Sequence, residues 1–223
     1  MSKQISITNI LITINIFIYI LSVLLSKNII DIDLDTLVDM GALYSPLVIV
    51  KEEWYRVFSA IFLHGGLMHI TMNMVSLYIV GRGVELYFSK PSYIALYLFS
   101  GLMGSMASLF VHPLSVGVGA SGAIFGIFGA IFGFFVVHRK HLATQSQMVF
   151  KEFGTILLLN LVLGLSISSI DMSAHIAGVV VGFLGGYMIS KNPKSIYLFS
   201  ILMVISLFVL ANLLQQHYVQ VYS

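Results

Sequence analysis

The 223-residue chain contains no cysteine, which excludes disulfides, thiolate metal sites and a cysteine nucleophile. Charge is nearly as scarce. Only 9% of residues are Asp, Glu, Lys or Arg, against about 25% in soluble domains, so water is not the main solvent. A net charge of +2 supplies no basic field of the kind nucleic acid requires. The zinc-peptidase pattern His-Glu-x-x-His is absent, and no metal or other cofactor is expected. An aspartyl mechanism in a membrane needs two aspartates within apolar runs, and only Asp171 lies near one.

What fills the chain is apolar: 58% hydrophobic residues, 13% aromatics and 19 glycines. Aromatic side chains anchor membrane helices and small residues let them pack closely. At roughly 20 residues per span, the hydrophobic runs predict seven helices, near 7–26, 60–80, 92–111, 117–137, 153–170, 173–190 and 195–214. The first has no small-residue cleavage site behind it and reads as a retained span rather than a signal peptide. The expected fold is an all-α membrane protein, one domain over 1–223, with a six-helix core at about 7–190 and an added C-terminal helix at about 195–214. The one long connection, 27–58, carries Asp31, Asp33, Asp35, Asp39 and the cluster Lys51-Glu52-Glu53-Trp54.

Basic residues set the expected orientation. Lys3, Arg82, Lys90, Arg139, Lys140, Lys151, Lys191 and Lys194 fall on one side, while Lys27, Lys51 and Arg56 fall on the other. Eight against three places the N-terminus in the cytoplasm and, with seven spans, the C-terminus outside. The membrane expected is the plasma membrane.

Polar residues inside spans are costly and point to function. His64, His69 and Asn73 open the second span, Ser121 lies early in the fourth and His175 early in the sixth. In this topology all three spans begin at the outer face, so the groups converge at similar depth. Ser121 lies about five residues into its apolar segment, roughly 8 Å deep at ~1.5 Å per residue. A serine near a helix N-terminus sits beside unpaired backbone N–H groups that suit a developing oxyanion. Its hydroxyl needs a base, and His175 matches it in depth. Gly122 and Gly126 follow Ser121, and Gly178 and Gly182 follow His175, a small-residue spacing that allows close helix approach. His69 and Asn73, four apart, share a helix face and can both donate to one oxygen. Asp171, four residues before His175, raises a triad acid as the disfavoured alternative to a Ser-His pair alone.

Together these residues resemble the rhomboid family of intramembrane serine proteases. The resemblance runs from Trp54 to Gly182 and rests on several matches in order. They are Trp54 and Arg56 in the long connection, the His64, His69, Asn73 spacing, Glu85, Gly119-x-Ser121-Gly122, and Ala174-His175-x-x-Gly178-x-x-x-Gly182. The resemblance implies Ser121 as nucleophile and His175 as general base, a dyad with no catalytic acid. It implies an oxyanion hole of His69, Asn73 and the Ser121 N–H. The implied partners are transmembrane protein substrates in the lipid bilayer, entering sideways and unwinding locally, with a small residue before the scissile bond. His64 reads as loop support, Arg56 and Glu85 as interfacial charges or bundle-locking hydrogen bonds. Three features depart from the family pattern: Tyr55 separates Trp54 from Arg56, Phe125 stands where some members carry a tyrosine that stacks on the histidine, and the seventh span is extra. A non-catalytic rhomboid-like binding factor and a transporter are the rival readings. The pair Ser121 and His175 argues against the first, and apolar cytoplasmic halves argue against the second.

Overall fold

In a computed structural model, which describes residues 6–166 and 171–222, the backbone is built from helices; apart from two isolated bridges, no strand forms among these residues. Without water in a bilayer core, each span must satisfy its own backbone, which the helix does. Seven long helices result: α1 (Ile7–Ser26), α4 (Leu67–Tyr87), α5 (Lys90–Val111), α6 (Ser121–His138), α7 (Ala143–Ser166), α8 (Met172–Lys191) and α9 (Ser195–Tyr222). Two short ones, α2 (Leu34–Asp39) and α3 (Arg56–Ser59), lie in the long connection. α1, α5, α6, α8 and the Ser195–Tyr218 stretch of α9 are long and apolar enough to cross a membrane. α4 falls short of that composition because it carries His69, Thr71, Asn73, Ser76, Arg82 and Glu85. The protein is an all-α, multi-pass membrane protein.

Two predicted boundaries move. The second span, expected from residue 60, starts as a helix only at Leu67, because a 3₁₀ turn over Ala60–Phe62 and the Gly65-Gly66 pair come first. His64 is therefore not on α4. The fourth apolar run begins at 117, but the helix begins at Ser121 itself, so the helical rise does not measure the depth of Ser121. The end of the predicted 153–170 span passes into residues 167–170, outside the described residues.

Polar side chains within the helices bond mostly to the backbone of their own turn. Asn15 donates to the Leu11 carbonyl at 2.8 Å and Ser22 to that of Ile18 at 3.0 Å, so neither faces lipid unpaired. Glu85, near the end of α4, accepts from Ser6 Oγ at 2.9 Å and from the Thr8 amide at 3.0 Å. Beside Ser6, whose hydroxyl accepts from the Asn9 amide, it caps the first turn of α1.

The long connection is folded rather than slack. Arg56 is 5% exposed; its Nε donates to Glu53 Oε2 at 2.6 Å and its guanidinium also donates to the Val38 and Ala42 carbonyls. One buried cation thus ties the 38–42 stretch to its own, with a carboxylate as its partner. Tyr55, the inserted residue, points out to 56% exposure, while Trp54 packs against an apolar cluster that includes Leu43, Val48, Ile49 and Val57. Leu43 exchanges two backbone hydrogen bonds with Gly117, each 2.9 Å, and the Gly119 amide donates to the Ala60 carbonyl at 2.9 Å. These bonds fix the non-helical segment that leads into Ser121. From the other side, Leu214 and Tyr218 of α9 pack into the same apolar cluster.

Candidate functional site

The site begins with a seam. α6 and α8 meet glycine against backbone: a methyl group at Gly178 would lie 2.1 Å from the Gly122 carbonyl oxygen, and one at Gly182 would lie 1.7 Å from that of Gly126. No side chain fits there, so the two backbones touch. Ser121 precedes Gly122 on α6, and His175 lies one turn before Gly178 on α8. The seam therefore sets these two residues beside each other at its mouth. His175 Nε2 lies 2.8 Å from Ser121 Oγ, a hydrogen bond between side chains 54 positions apart.

Ser121 is the first residue of α6, after Ala120 as the cap. Its amide belongs to the first turn, outside the repeating helical ladder, and is free to point toward a ligand. Phe125, one turn on, stacks on the His175 ring with centroids 4.4 Å apart and planes 21° apart. The phenyl ring fills the stacking position without needing a hydroxyl, and it restricts the imidazole to one plane. His175 is buried to 9% exposure, and its Nδ1 has no hydrogen-bond partner among the described residues.

Gly119 explains how α4 reaches this point. Its φ of +131° is open to glycine and strained for other residues. A methyl group there would sit 2.8 Å from His69 Nε2 and 3.8 Å from Asn73 Nδ2. Both α4 side chains thus aim at the turn that delivers Ser121, as their four-residue spacing predicts. Asn73 is buried and His69 partly open. His64 is fully buried and stands edge-on to His69, ring centroids 5.1 Å apart. It packs against His69.

Asp171 departs from the triad geometry. It is the N-cap of α8, with extended backbone, and its Oδ1 accepts from the Ala174 amide at 3.1 Å and from Ser173 Oγ. His112 Nε2 lies 3.7 Å away. The four-residue facing rule holds inside a helix, and a cap residue lies outside it, so the carboxylate turns to the backbone instead of the imidazole. Burial raises the Asp171 carboxyl, but hydrogen bonds from Ser108, Ser173 and the Ala174 amide, with the nearby His112, outweigh it and hold the group below its ordinary value. The capping role was open to sequence reasoning, since an Asp just before an apolar helical run is a start signal. The partners on α5 were not, because no local pattern links residues 108 and 112 to 171.

The site thus joins a serine to an imidazole at a helix start, with two further donors on a facing helix. Among the described residues, no cluster of three or more His, Asp or Glu is arranged to hold a metal.

The Rhomboid domain family model matches residues 51–192. The chain is 37% identical over 153 residues to Rhomboid protease GluP of Bacillus subtilis, covering 67% of this chain and 28% of that protein. It is 32% identical over 152 residues to Putative rhomboid protease YdcA of the same organism, covering 68% and 75%. To RHOMBOID-like protein 5 of Arabidopsis thaliana it is 37% identical over 166 residues, covering 71% and 51%. The match to GluP thus spans little more than a quarter of that longer protein, and that to RHOMBOID-like protein 5 about half. A family match over most of the chain, from the Trp54 connection through the seam, shows that this chain belongs to the rhomboid family.

Proposed function

We propose that the protein is an intramembrane serine endopeptidase that cuts other membrane proteins in or near their transmembrane segments. The observation that carries this reading is the 2.8 Å contact between Ser121 Oγ and His175 Nε2. A hydroxyl is a weak nucleophile until a neighbouring base removes its proton. In the proposed reaction Nε2 takes that proton as Oγ attacks the scissile carbonyl carbon, with the other ring proton held on Nδ1. The oxyanion that forms is received by the Ser121 amide, His69 and Asn73. His175 then protonates the departing amine, and a water molecule, deprotonated by the same imidazole, releases the acyl group from Ser121. Among the described residues no acid hydrogen-bonds to the imidazole, and the stacked Phe125 restricts its orientation instead. No cofactor enters.

The setting follows from the charge asymmetry. The N-terminus and the Arg139-Lys140 turn lie in the cytoplasm, the protein sits in the plasma membrane, and the site opens toward the outer face. The whole chain acts as one domain whose substrates are transmembrane proteins.

The test is cleavage of a single-span substrate in liposomes by the purified protein. Wild type is expected to cut it and Ser121→Ala and His175→Ala to leave it intact while remaining folded. Cleavage by Ser121→Ala would remove the assignment, and wild type that holds the substrate uncut would favour a binding factor. The cysteine-free chain makes orientation simple to check, with Lys140→Cys and Glu52→Cys as single labels. Labelling of the first from outside would contradict the topology.

A further inference from the structure

The first turn of α8 carries His175 and is wedged among backbones. A methyl group on Gly104 of α5 would meet the Ala174 carbonyl oxygen at 3.0 Å, and one on Gly122 of α6 would meet it at 3.3 Å. Asp171 holds the same turn from its open end. Its side chain accepts from the Ala174 amide, and its backbone carbonyl accepts from the His175 amide at 3.3 Å. The peptide units on both sides of Ala174, one of them that of His175, are thus tied to one residue. That residue is in turn tied to the end of α5, where His112 closes the helix and lies 3.7 Å from the carboxylate. The imidazole itself hydrogen-bonds to Ser121, and its Nδ1 has no partner among the described residues. Its position depends on where its own backbone is held and on the Phe125 ring.

We propose that Asp171 is a positioning residue for His175: by capping α8 and docking it on the end of α5, it fixes the height of the imidazole against Ser121 without touching the ring. The inference rests on the serine-protease reading of the site. It differs from a triad in what it asks of the side chain. A triad acid must be negative and must face Nδ1. A cap needs only an oxygen acceptor, and Asn serves there about as well as Asp. Because a misplacement of about 1 Å can cost on the order of 10²-fold in rate, loosening this turn should appear in turnover more than in substrate binding.

The experiment uses the full chain in liposomes with a single-span substrate, measuring kcat and KM for Asp171→Ala and Asp171→Asn. Hydrogen exchange is followed at the amides of residues 174–178. Asp171→Ala is expected to lose at least about tenfold in kcat with KM little changed, and its α8 amides to exchange faster. Asp171→Asn should restore both. Wild-type turnover in Asp171→Ala, a loss in Asp171→Asn as deep as in Asp171→Ala, or a loss fully accounted for by the unfolded fraction would each overturn the positioning role. Wild type without any cleavage would overturn the protease reading, and the positioning role with it. Exchange at 174–178 unchanged by Asp171→Ala would overturn the cap independently of activity.

Discussion

Two helices of similar apolarity are used in opposite ways. α6 is half buried over its most apolar stretch, against 6% for α9. α6 meets α8 through glycines and bare carbonyls, while α9 meets the bundle through large side chains: Phe199 over Gly185, and Leu214 and Tyr218 against the long connection. In lipid, hydrophobicity does not drive helices together, so close packing and hydrogen bonds decide which pairs are held rigidly. A backbone-to-backbone seam leaves no side chain to rotate or slide. The proposed chemistry sits at the end of that seam, and α9 keeps most of its surface for lipid.

The comparison can be sharpened by changing residues along this gradient. The largest effect is expected where α4 meets the seam's mouth. Asn73→Ala and His69→Ala should each lower kcat by roughly 10²- to 10³-fold, the usual cost of one oxyanion donor, with substrate affinity nearly unchanged. Steady-state kinetics beside a thermal melt would check this, and an unchanged kcat for Asn73→Ala would remove its oxyanion role. Next comes the seam itself. Gly182→Ala places a methyl group against the Gly126 carbonyl, where only backbone can yield. Overpacking of this kind costs about 1–3 kcal/mol, and the displaced imidazole should cost on the order of 10²-fold in turnover. A Gly182→Ala protein with wild-type activity would show that the seam does not set the pair.

Smaller effects are expected away from the seam. Leu214→Ala removes the α9 residue most deeply set against the long connection. It should lower the melting temperature while turnover per folded molecule stays the same, and a collapse in turnover would give α9 a part in the site. The smallest change is Gly154→Ala on α7, where a methyl group meets nothing within 4 Å among the described residues. The better helix propensity of Ala should leave stability unchanged or raise it by up to about 1 kcal/mol, measured by thermal unfolding in the same detergent.

The contrast also accounts for what the sequence could reveal. Hydropathy located the long helices because lipid imposes a length and a composition on any span. The glycine spacing after Ser121 and after His175 gave the register, since only small residues permit that approach. Boundaries near polar turns were harder. Residues 117–120 are as apolar as a helix start, yet tertiary bonds to Leu43 and Ala60 hold Gly117 and Gly119 outside the helix, and no local pattern in 117–120 reports those partners. The same holds for Arg56. Its type suggested a locked charge, but its acceptors, the Val38 and Ala42 carbonyls, are backbone atoms whose placement depends on the fold of the whole connection. For Asp171 the spacing to His175 offered a triad acid only as the disfavoured alternative to a dyad, and its place at the helix start turns the carboxylate to the backbone.

The most direct measurement is labelling by a serine-reactive fluorophosphonate, mapped by mass spectrometry in wild type, Ser121→Ala and His175→Ala, with folding checked by thermal melt. If the seam exists to pair the two residues, the adduct forms on Ser121 in wild type and is absent or sharply reduced in folded His175→Ala. An adduct on another serine, or Ser121 labelling that persists unchanged without His175, would contradict the pairing.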